Sequence, residues 1–364
     1  MGHQHGSANR DYSKTPLNVY WEMTQACALA CRHCRAEAVP EPHRDELGFE
    51  DALRLLDQIK DFGDPLPQLI LTGGDPLMRK DLHPIIVEAR KRGIGVSITP
   101  AATQALTRDV LEKLIELGVD GLGLSLDAST AEVHDAIRGV PGTFDRTVQA
   151  MKWAQELKLP LQVNTLVAAE TAPHLEEVYE LLKPLGLARW SLFFLIAVGR
   201  GKVLEPLSVE ESERVMRWIF EKTKEAPFVV ATTEAPSYRR VAVEEMRKTG
   251  MSGEEIRRSP QYRSFGIRDG HGIVFVSHIG EVCPAGFLPV GAGNIRKDHL
   301  VDIYRNSDLF HSLHDPSRFE DRCGHCEYHA ICGGSRARAY EATGSVLASD
   351  PLCLYEPHSS GSSR

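Results

Sequence analysis

Residues 18–34 read NVYWEMTQACALACRHC, a strand-like segment followed directly by three closely spaced cysteines. Cys27, Cys31 and Cys34 have the spacing C-x3-C-x2-C. Three such thiolates suit a cubane cluster that presents three irons to the protein and leaves the fourth iron open. A closed zinc site needs a fourth ligand, normally supplied in a pair, and His33 is the obvious rival ligand. We therefore expect an iron–sulfur cluster, with zinc or inert buried cysteines as the alternatives.

The chain after this stretch alternates between strand-like and helix-like segments. Near-continuous apolar runs, which are typical of parallel strands covered on both faces, occur at 18–23, 68–72, 94–99, 121–126, 161–167 and 189–196. Helical patterns lie between them, for example at 107–117, with Thr107 as N-cap and Gly118 after the last turn. Six strands with intervening helices predict an α/β parallel sheet that curls toward a partial (β/α)6 barrel. The periodicity leaves open whether the barrel closes.

The second half of the chain has a different character. Helix-like stretches at 208–224 and 238–248 flank a predicted strand at 227–233, and HGIVFVSHIGEV (271–282) predicts a hairpin with Gly280 in its turn. The predicted divisions are a disordered polar tail (1–15), a barrel domain (16–200), a bridging region (201–270), a cysteine-rich domain (271–357) and a second disordered tail (358–364).

Composition excludes several classes of protein. The net charge of −8 argues against a general nucleic-acid binder, which needs a basic surface. No apolar run reaches the roughly 18–20 residues that a membrane span requires. The polar N-terminus lacks the apolar segment of a secretion signal, and its His3 and His5 are expected to belong to a disordered tail. We therefore expect a cytoplasmic protein, in which the eight cysteines bind metal rather than form disulfides.

A second group of cysteines lies near the C-terminus. Residues 323–332 read CGHCEYHAIC, and Cys353 follows in DPLC. Cys323, Cys326, Cys332 and Cys353 make the full set for a [4Fe–4S] cluster without an open iron. A four-cysteine zinc ribbon is the alternative, but its usual form has two C-x2-C knuckles and only one is present. Cys283 is left unpaired, either as a packed bystander, a substrate contact or an alternative ligand.

These motifs resemble those of a known family. C-x3-C-x-aromatic-C after the first strand resembles the signature of the radical S-adenosylmethionine (radical SAM) superfamily, with His33 in the aromatic position. WEMTQACALACRHCRAEA (21–38) resembles the branch with the alternative haem and haem d1 biosynthesis enzymes and the peptide-maturing enzymes. CGGSRARAYEATGSVLASDPLC (332–353) resembles the SPASM/Twitch domain of the same branch, and the likeness covers most of residues 16–357.

The resemblance implies a fold and a chemistry. It implies a partial (β/α)6 radical SAM barrel with a C-terminal SPASM/Twitch-like iron–sulfur domain. In such enzymes the amino and carboxylate groups of SAM chelate the open iron of the first [4Fe–4S] cluster. An electron from the cluster cleaves SAM to methionine and a 5′-deoxyadenosyl radical, which abstracts hydrogen from the substrate. A second, auxiliary [4Fe–4S] cluster and an electron donor such as a flavodoxin or ferredoxin are implied with it.

The resemblance also implies which residues contact SAM. The residues matched to the family's SAM-binding positions are His33, Gly73, Gly74, Asp75, Ser125, Asp127, Arg138, Asn164 and Val198. Asp75 stands in TGGDP (72–76), where the family usually has Glu. Arg138 is matched to the partner of the SAM carboxylate. A plain strand-to-helix turn is the alternative for TGGDP, and helix capping by Asp127 and Ser129 is the alternative for SLDAS (125–129).

The substrate is the least determined part of the prediction. Six basic residues near the junction of the domains would favour an anionic substrate if they converge: Arg200, Lys202, Arg239, Arg240, Arg336 and Arg338. An ordinary solvated surface is the alternative for these six, and the sequence slightly favours it. Trp190, Phe193 and Phe194 are candidates for the floor of a flat site or for the core. We expect a tetrapyrrole side chain as substrate, although Glu234 and Ser335 replace cysteines of haem-pathway relatives. A peptide is the main alternative, and a non-catalytic iron–sulfur electron carrier is a lower-ranked one.

Overall fold

The computed structural model of the protein describes residues 10–259, 261–262 and 266–358. Ten strands occur in these ranges: β1 (Asn18–Glu22), β2 (Gln68–Thr72), β3 (Val96–Ile98), β4 (Gly121–Ser125), β5 (Leu161–Val167), β6 (Arg189–Phe194), β7 (Val229–Thr233), β8 (Ile273–Val276), β9 (Glu281–Cys283) and β10 (Gly293–Asn294).

The helices of the same ranges lie mostly between the strands. They are α1 (Phe49–Lys60), α2 (Leu82–Lys91), α3 (Arg108–Glu116), α4 (Ala131–Arg138), α5 (Thr143–Glu156), α6 (Leu175–Leu182), α7 (Val209–Glu225), α8 (Tyr238–Lys248), α9 (Gly253–Arg258), α10 (Leu300–Asn306), α11 (Asp308–His314), α12 (Asp321–His325) and α13 (Arg336–Thr343). Within the described ranges, none of the helices combines the length and apolar content that a membrane crossing requires.

All ten strands form one sheet in the order β10-β9-β8-β1-β2-β3-β4-β5-β6-β7. The strands β1 to β7 pair in parallel with their neighbours, and β8 pairs in parallel with the other edge of β1. Only β9 runs in the opposite direction, because it pairs antiparallel with both β8 and β10. In the described part of the chain β7 and β10 are free edges, so the sheet does not close on itself. The predicted α/β parallel sheet with an open barrel is therefore confirmed.

Local signals in the sequence explain where several elements begin and end. The Thr107 side chain accepts the Val110 amide at 3.3 Å and starts α3, and Gly118 adopts a positive φ of 89° just after its end. Ser208 starts α7 in the same way, with Glu211 completing a capping box. Gly280 has a φ of 86° in the turn between β8 and β9, as the hairpin prediction requires.

The C-terminal part of the chain packs directly on the barrel. The inner face of α1 is fully buried, and on that face Gln58 donates to the Ile295 carbonyl at 3.3 Å and accepts the Leu300 amide at 2.9 Å. Because β7 and β8 belong to the same sheet as β1–β6, the predicted divisions near residues 200 and 270 fall between strands of one continuous sheet. The division into domains stays a prediction.

Part of the predicted N-terminal tail is packed rather than free. The Arg10 guanidinium donates to the Leu66 carbonyl at 3.1 Å, and Arg305 donates to the Lys14 carbonyl at 2.8 Å. The expectation of a disordered tail over 1–15 therefore needs correction for residues 10–15, since these contacts tie them to the barrel and to α10. His3, His5 and residues 359–364 lie outside the described residues.

Candidate active site

The first three cysteines lie on one loop that leaves the carboxyl end of β1. The loop closes on itself because the Cys27 amide donates to the Val39 carbonyl at 2.8 Å. Two amides point at sulfur: Leu29 N–H donates to Cys27 Sγ and Ala38 N–H donates to Cys34 Sγ, each at 3.4 Å. Amide donors directed at sulfur tune iron–sulfur sites, because they stabilise negative charge on the ligand.

The chemistry of these thiols fits a cluster better than a single ion. Burial raises the pKa of Cys27 to about 11 and also raises the pKa of Cys31, so the ligand-free thiols are protonated and deprotonate on metal binding. All three thiols line one cavity. In the described ranges no group of three or more His, Cys, Asp or Glu side chains converges on a point suited to a single metal ion. In a cubane cluster each thiolate binds a different iron. Three cysteine sulfurs spread around one cavity therefore suit a cubane.

The cavity, of about 220 Å³, joins this loop to the carboxyl ends of the parallel strands. Ligands of open α/β sheets bind at that edge. Seven of the nine residues that sequence reasoning assigns to SAM line the cavity: His33, Gly73, Gly74, Ser125, Asp127, Arg138 and Asn164. They come from the cysteine loop, from the ends of β2 and β4, from the middle of β5, and from α4. The structure thus brings them together, although their contacts with SAM stay predictions.

The two glycines of TGGDP are required by a close contact between backbones. A Cβ on Gly74 would lie 2.3 Å from the Ala26 carbonyl oxygen, and a Cβ on Gly73 would lie 2.5 Å from the Thr24 oxygen. The Gly74 amide donates to Thr24 at 2.8 Å, so the β2 turn is hydrogen-bonded to the start of the cysteine loop. The glycines therefore position the cysteine loop as well as leaving room at the cavity.

Asp75 and Val198 are the two predicted SAM contacts outside the cavity lining. Asp75 is fully buried, and its carboxylate accepts the Leu77 amide at 3.1 Å and the Thr103 hydroxyl at 3.2 Å. It therefore stabilises the turn after Gly74. Val198 packs against an apolar cluster that includes Ile196. Neither residue is part of the cavity lining, and their contacts with SAM stay predictions.

Asp127 and Arg138 form a buried ion pair at the cavity wall. Asp127 Oδ2 lies 2.7 Å from Arg138 Nη2, and Asp127 Oδ1 accepts the Leu166 amide at 3.0 Å. Burial alone would raise the pKa of Asp127, but the Arg138 charge, together with His33, His134 and the Leu166 amide, lowers this pKa to about 2. Arg138 also donates to Cys31 Sγ at 3.8 Å. Asp127 does not cap α4, whose N-cap is Thr130, so the capping alternative is not the role of this carboxylate.

His33 and Asn164 contribute polar groups to the same wall. Burial lowers the pKa of His33 to about 4, so its ring is neutral, and its Nδ1 is buried without a hydrogen-bond partner in the described part of the chain. Asn164 lies beside Ser125 in the parallel register of β5 and β4, and its Oδ1 accepts the Gln162 amide at 2.8 Å. The Asn164 amide nitrogen and the Ser125 hydroxyl thus have no described protein partner and remain available to a ligand.

The opposite wall of the cavity is aromatic. Phe193 and Phe194 line it, whereas Trp190 is buried in the core, where its indole donates to Thr165 at 2.8 Å. Sequence reasoning does not identify Phe287, whose ring centroid lies 6.4 Å from that of Phe193. It also misses Arg35, although its position directly after Cys34 was a usable signal. Nothing local marks Phe287, which reaches the cavity through the C-terminal fold.

Comparisons with known proteins agree with this architecture. The model of the radical SAM superfamily matches residues 21–190. A protein of Methanosarcina barkeri (strain Fusaro / DSM 804) named AdoMet-dependent heme synthase is 36% identical over 345 residues, which cover 95% of this chain and 98% of that protein. This chain belongs to the radical SAM superfamily. Members of the superfamily bind SAM and a [4Fe–4S] cluster.

Other relatives of this radical SAM enzyme are similar in length. The AdoMet-dependent heme synthase of Oleidesulfovibrio alaskensis is 34% identical, covering 98% of this chain and 93% of that protein. The Fe-coproporphyrin III synthase of Methanosarcina barkeri is 30% identical, covering 93% and 88%. Streptococcus suis SuiB bound to S-adenosylmethionine superimposes with a TM-score of 0.72 at 18% identity, covering 94% of this chain and 78% of SuiB, which supports the fold.

The second cysteine group of this radical SAM enzyme also surrounds a cavity. Cys323, Cys326, Cys332 and Cys353 line a space of about 30 Å³. Burial raises the pKa of Cys332 to about 12 and that of Cys353 to about 11. Amides point at two of the sulfurs, and the fully buried Arg336 donates to Cys323 Sγ at 3.6 Å. The predicted ligand set is therefore brought together by the fold, as at the first loop.

Cys283 lines neither described cavity. It is 3% exposed, it lies opposite Phe275 in the pairing of β9 with β8, and burial raises its pKa to about 12. The neighbouring His278 bonds to Glu22 at 2.6 Å, and His271 contacts the Gly266 carbonyl at 2.7 Å. These contacts are those of packed core residues.

The six basic residues expected at the substrate site do not converge there. Of the six, Arg200 alone lines the cavity, and it donates to the carbonyls of Cys31 and Ala38, each at 3.0 Å. Lys202 is exposed. Arg239 and Arg336 donate to main-chain carbonyls, whereas Arg240 and Arg338 pair with buried carboxylates, so these four arginines stabilise the fold. The six do not form a shared cationic cavity, and the buried guanidinium groups do not lie on a solvated surface either, because burial forces each of them to find partners within the protein.

Glu234 and Ser335 are neighbours in space. Ser335 Oγ donates to Glu234 Oε2 at 2.6 Å. Burial, reinforced by the nearby Asp269, raises the pKa of Glu234 well above its ordinary value. Neither residue lines the cavity of the first loop. The expected repulsion between Glu234 and an anionic substrate is therefore absent.

Proposed function

We propose that this radical SAM enzyme acts on a carboxylate-bearing side chain of a tetrapyrrole in haem biosynthesis. The observation that carries the proposal is the single cavity in which the three-cysteine loop faces an aromatic wall with an arginine beside it. A haem precursor is a flat apolar ring with several carboxylates, and such a ligand needs an apolar surface and a cation. The near full-length relatives named heme synthase support the same substrate class.

Cys27, Cys31 and Cys34 would hold the catalytic [4Fe–4S] cluster and leave one iron for SAM. When bound, the cluster and SAM supply reductive cleavage to a 5′-deoxyadenosyl radical, which abstracts hydrogen from the substrate. The protein supplies position. Ser125 and Asn164 offer polar groups to SAM without other described partners, and Arg138 fixes the Cys31 side of the loop. His33 stays neutral and adds no charge to the site.

The second cysteine group would hold an auxiliary [4Fe–4S] cluster with four protein thiolates. Four sulfurs around one cavity, amides directed at two of them and the Arg336 donor support this assignment over a zinc ribbon. A protein that cleaves SAM reductively also needs an external one-electron donor, for which a flavodoxin or ferredoxin is our proposal.

The test is turnover of a defined porphyrin by the reconstituted, reduced enzyme. With SAM and iron coproporphyrin III, a tetracarboxylate, we expect 5′-deoxyadenosine together with a porphyrin product of altered mass, both measured by chromatography and mass spectrometry. Cys27→Ala, Cys31→Ala and Cys34→Ala combined should abolish deoxyadenosine and leave about four irons per chain, because the second group closes its own site.

The outcomes separate the rival functions. Deoxyadenosine without any change in the porphyrin would overturn the substrate assignment in favour of another substrate, a peptide being the main alternative. If a protein with full iron content forms no deoxyadenosine, the function of a non-catalytic electron carrier is favoured instead. Retention of SAM cleavage by the triple variant would remove the first loop from the catalytic site.

A further inference from the structure

Three arginines line the cavity in the described part of the chain, and their hydrogen bonds differ. Arg138 uses Nη1 and Nη2 on Cys31 and Asp127, and its Nε is buried. Arg200 uses Nε and Nη1 on two carbonyls, and its Nη2 is buried. Each of these two guanidinium groups therefore makes two polar contacts within the protein.

Arg35 is different, because only one of its nitrogens has a described partner. Its Nη2 lies 2.7 Å from Glu22 Oε2. Nε and Nη1 have no described protein partner and are not among the buried unpaired atoms. The side chain is 19% exposed and lines the cavity, so Arg35 is the cavity arginine with the most unpaired donor nitrogens in the described part of the chain.

The surroundings hold Arg35 in one orientation. The guanidinium carbon lies 4.7 Å from the centroid of the Phe275 ring, an arrangement favourable for a cation over an aromatic face. Glu22 is 4% exposed at its side chain and is held in turn by His278 at 2.6 Å. A Cβ at Gly286 would lie 3.2 Å from Arg35 Nε, so glycine at that position leaves room for this orientation.

We propose that Arg35 is the anchor for a carboxylate of the substrate, a role that rests on the proposed function and specifies it. Nε–H and Nη1 lie on opposite sides of the guanidinium, so either nitrogen can donate a charge-assisted hydrogen bond to a carboxylate oxygen while Nη2 stays with Glu22. The aromatic wall of Phe193 and Phe287 would carry the apolar ring that bears this carboxylate. Glu22 is then a positioning residue, because it acts on the substrate only through Arg35. Since the side chain is already ordered, little rotamer entropy is lost on binding.

The experiment measures porphyrin binding, not turnover, so that failure of the chemistry does not obscure it. Iron coproporphyrin III is titrated into the full-length, cluster-replete enzyme and followed by the shift of its Soret band. We expect Arg35→Ala to raise Kd about 10- to 100-fold, as loss of a charge-assisted pair predicts. Arg35→Lys should raise Kd less, because the charge remains although the planar guanidinium that contacts Glu22 is lost. The tetramethyl ester of the same porphyrin should bind wild type and Arg35→Ala alike.

Arg32→Ala is the matched control. Arg32 lies on the same loop, but it pairs with Glu170 at 3.0 Å and does not line the cavity. The Kd of the Arg32→Ala variant for the porphyrin should therefore equal that of wild type. Iron content and substrate-free SAM cleavage of each variant show whether the loop is intact. If Arg35→Ala loses iron, Arg35→Lys decides, since it keeps the charge beside Glu22.

Each result has a separate meaning. Equal Kd values for the tetracarboxylate in wild type and in the intact Arg35 variants overturn the anchor while the proposed function stands. An equal loss of acid and ester binding on replacing Arg35 also overturns it, since the contact would not be with a carboxylate. Absence of porphyrin binding to wild type overturns the proposed function itself.

Discussion

Replacing Arg138 by methionine is expected to destabilise the enzyme by about 3–5 kcal/mol, because it strips a buried carboxylate of its partner. The side chain of Asp127 is 1% exposed and that of Arg138 is 11% exposed. In the variant Asp127 Oδ1 would still accept a hydrogen bond from the Leu166 amide. Asp127 Oδ2 has no partner besides Arg138 in the described part of the chain. Water cannot take the place of the guanidinium at so buried an atom without rearrangement.

A double-mutant cycle with Asp127→Asn isolates the pair. Asparagine keeps an acceptor for the Leu166 amide and removes the charge, so the double variant contains no buried ion. We expect it to be more stable than the sum of the single variants implies, with a coupling free energy of at least about 2 kcal/mol. Arg32→Met is the control, because its pair with Glu170 is 41% and 38% exposed and should contribute about 0–1 kcal/mol. Urea unfolding under anaerobic conditions, followed by tryptophan fluorescence, gives the free energy of unfolding of wild type, of the two single variants, of the double variant and of the control.

A loss below about 1 kcal/mol in Arg138→Met, or no coupling, would refute the reasoning. The pair would then not be structural, and Arg138 would be free for the SAM carboxylate. The double variant also addresses that role: it removes the buried ion, so any fall in its SAM affinity reports contact with SAM rather than partial unfolding.

Three further outcomes are expected. Reconstituted wild type should contain about eight iron and eight sulfide per chain, and Cys283→Ser should leave this unchanged; a loss of about four iron would make Cys283 a ligand. Because burial raises the pKa of Glu234, its stabilising contribution is present below the unfolded carboxyl pKa of about 4.3 and is lost as pH rises toward the raised folded value. The difference in Tm between Glu234→Gln and wild type should therefore shift in favour of the variant as the pH rises from about 5 to about 8. A Tm difference that does not change with pH would contradict this. Gly74→Ala should displace the cysteine loop and lower the iron content, because the new Cβ would lie 2.3 Å from the Ala26 oxygen. Gly48→Ala is the control, since a Cβ there has no neighbour within 4 Å. Equal iron content in the two variants would argue against the importance of the Gly74 contact.

The sequence by itself determined the features that depend on neighbours along the chain. Apolar runs placed the six strands of the barrel, and the cap at Thr107 and the glycine at 118 placed the ends of α3. The spacing of Cys27, Cys31 and Cys34 indicated the cluster loop. These signals are short in range, because a strand is defined by its own period and a three-cysteine loop by its own reach.

Tertiary structure alone decided which polar groups face the cavity. Arg336 and Arg338 look like substrate contacts in sequence, but burial on α13 turns them to carbonyls and a carboxylate of the protein. Arg35 looks like an incidental neighbour of Cys34, but Glu22 and the Phe275 ring hold it at the cavity. The physical reason is that a buried charge must be satisfied by whatever the fold places beside it, and β8, more than two hundred residues away in sequence, lies beside β1 only in the folded sheet.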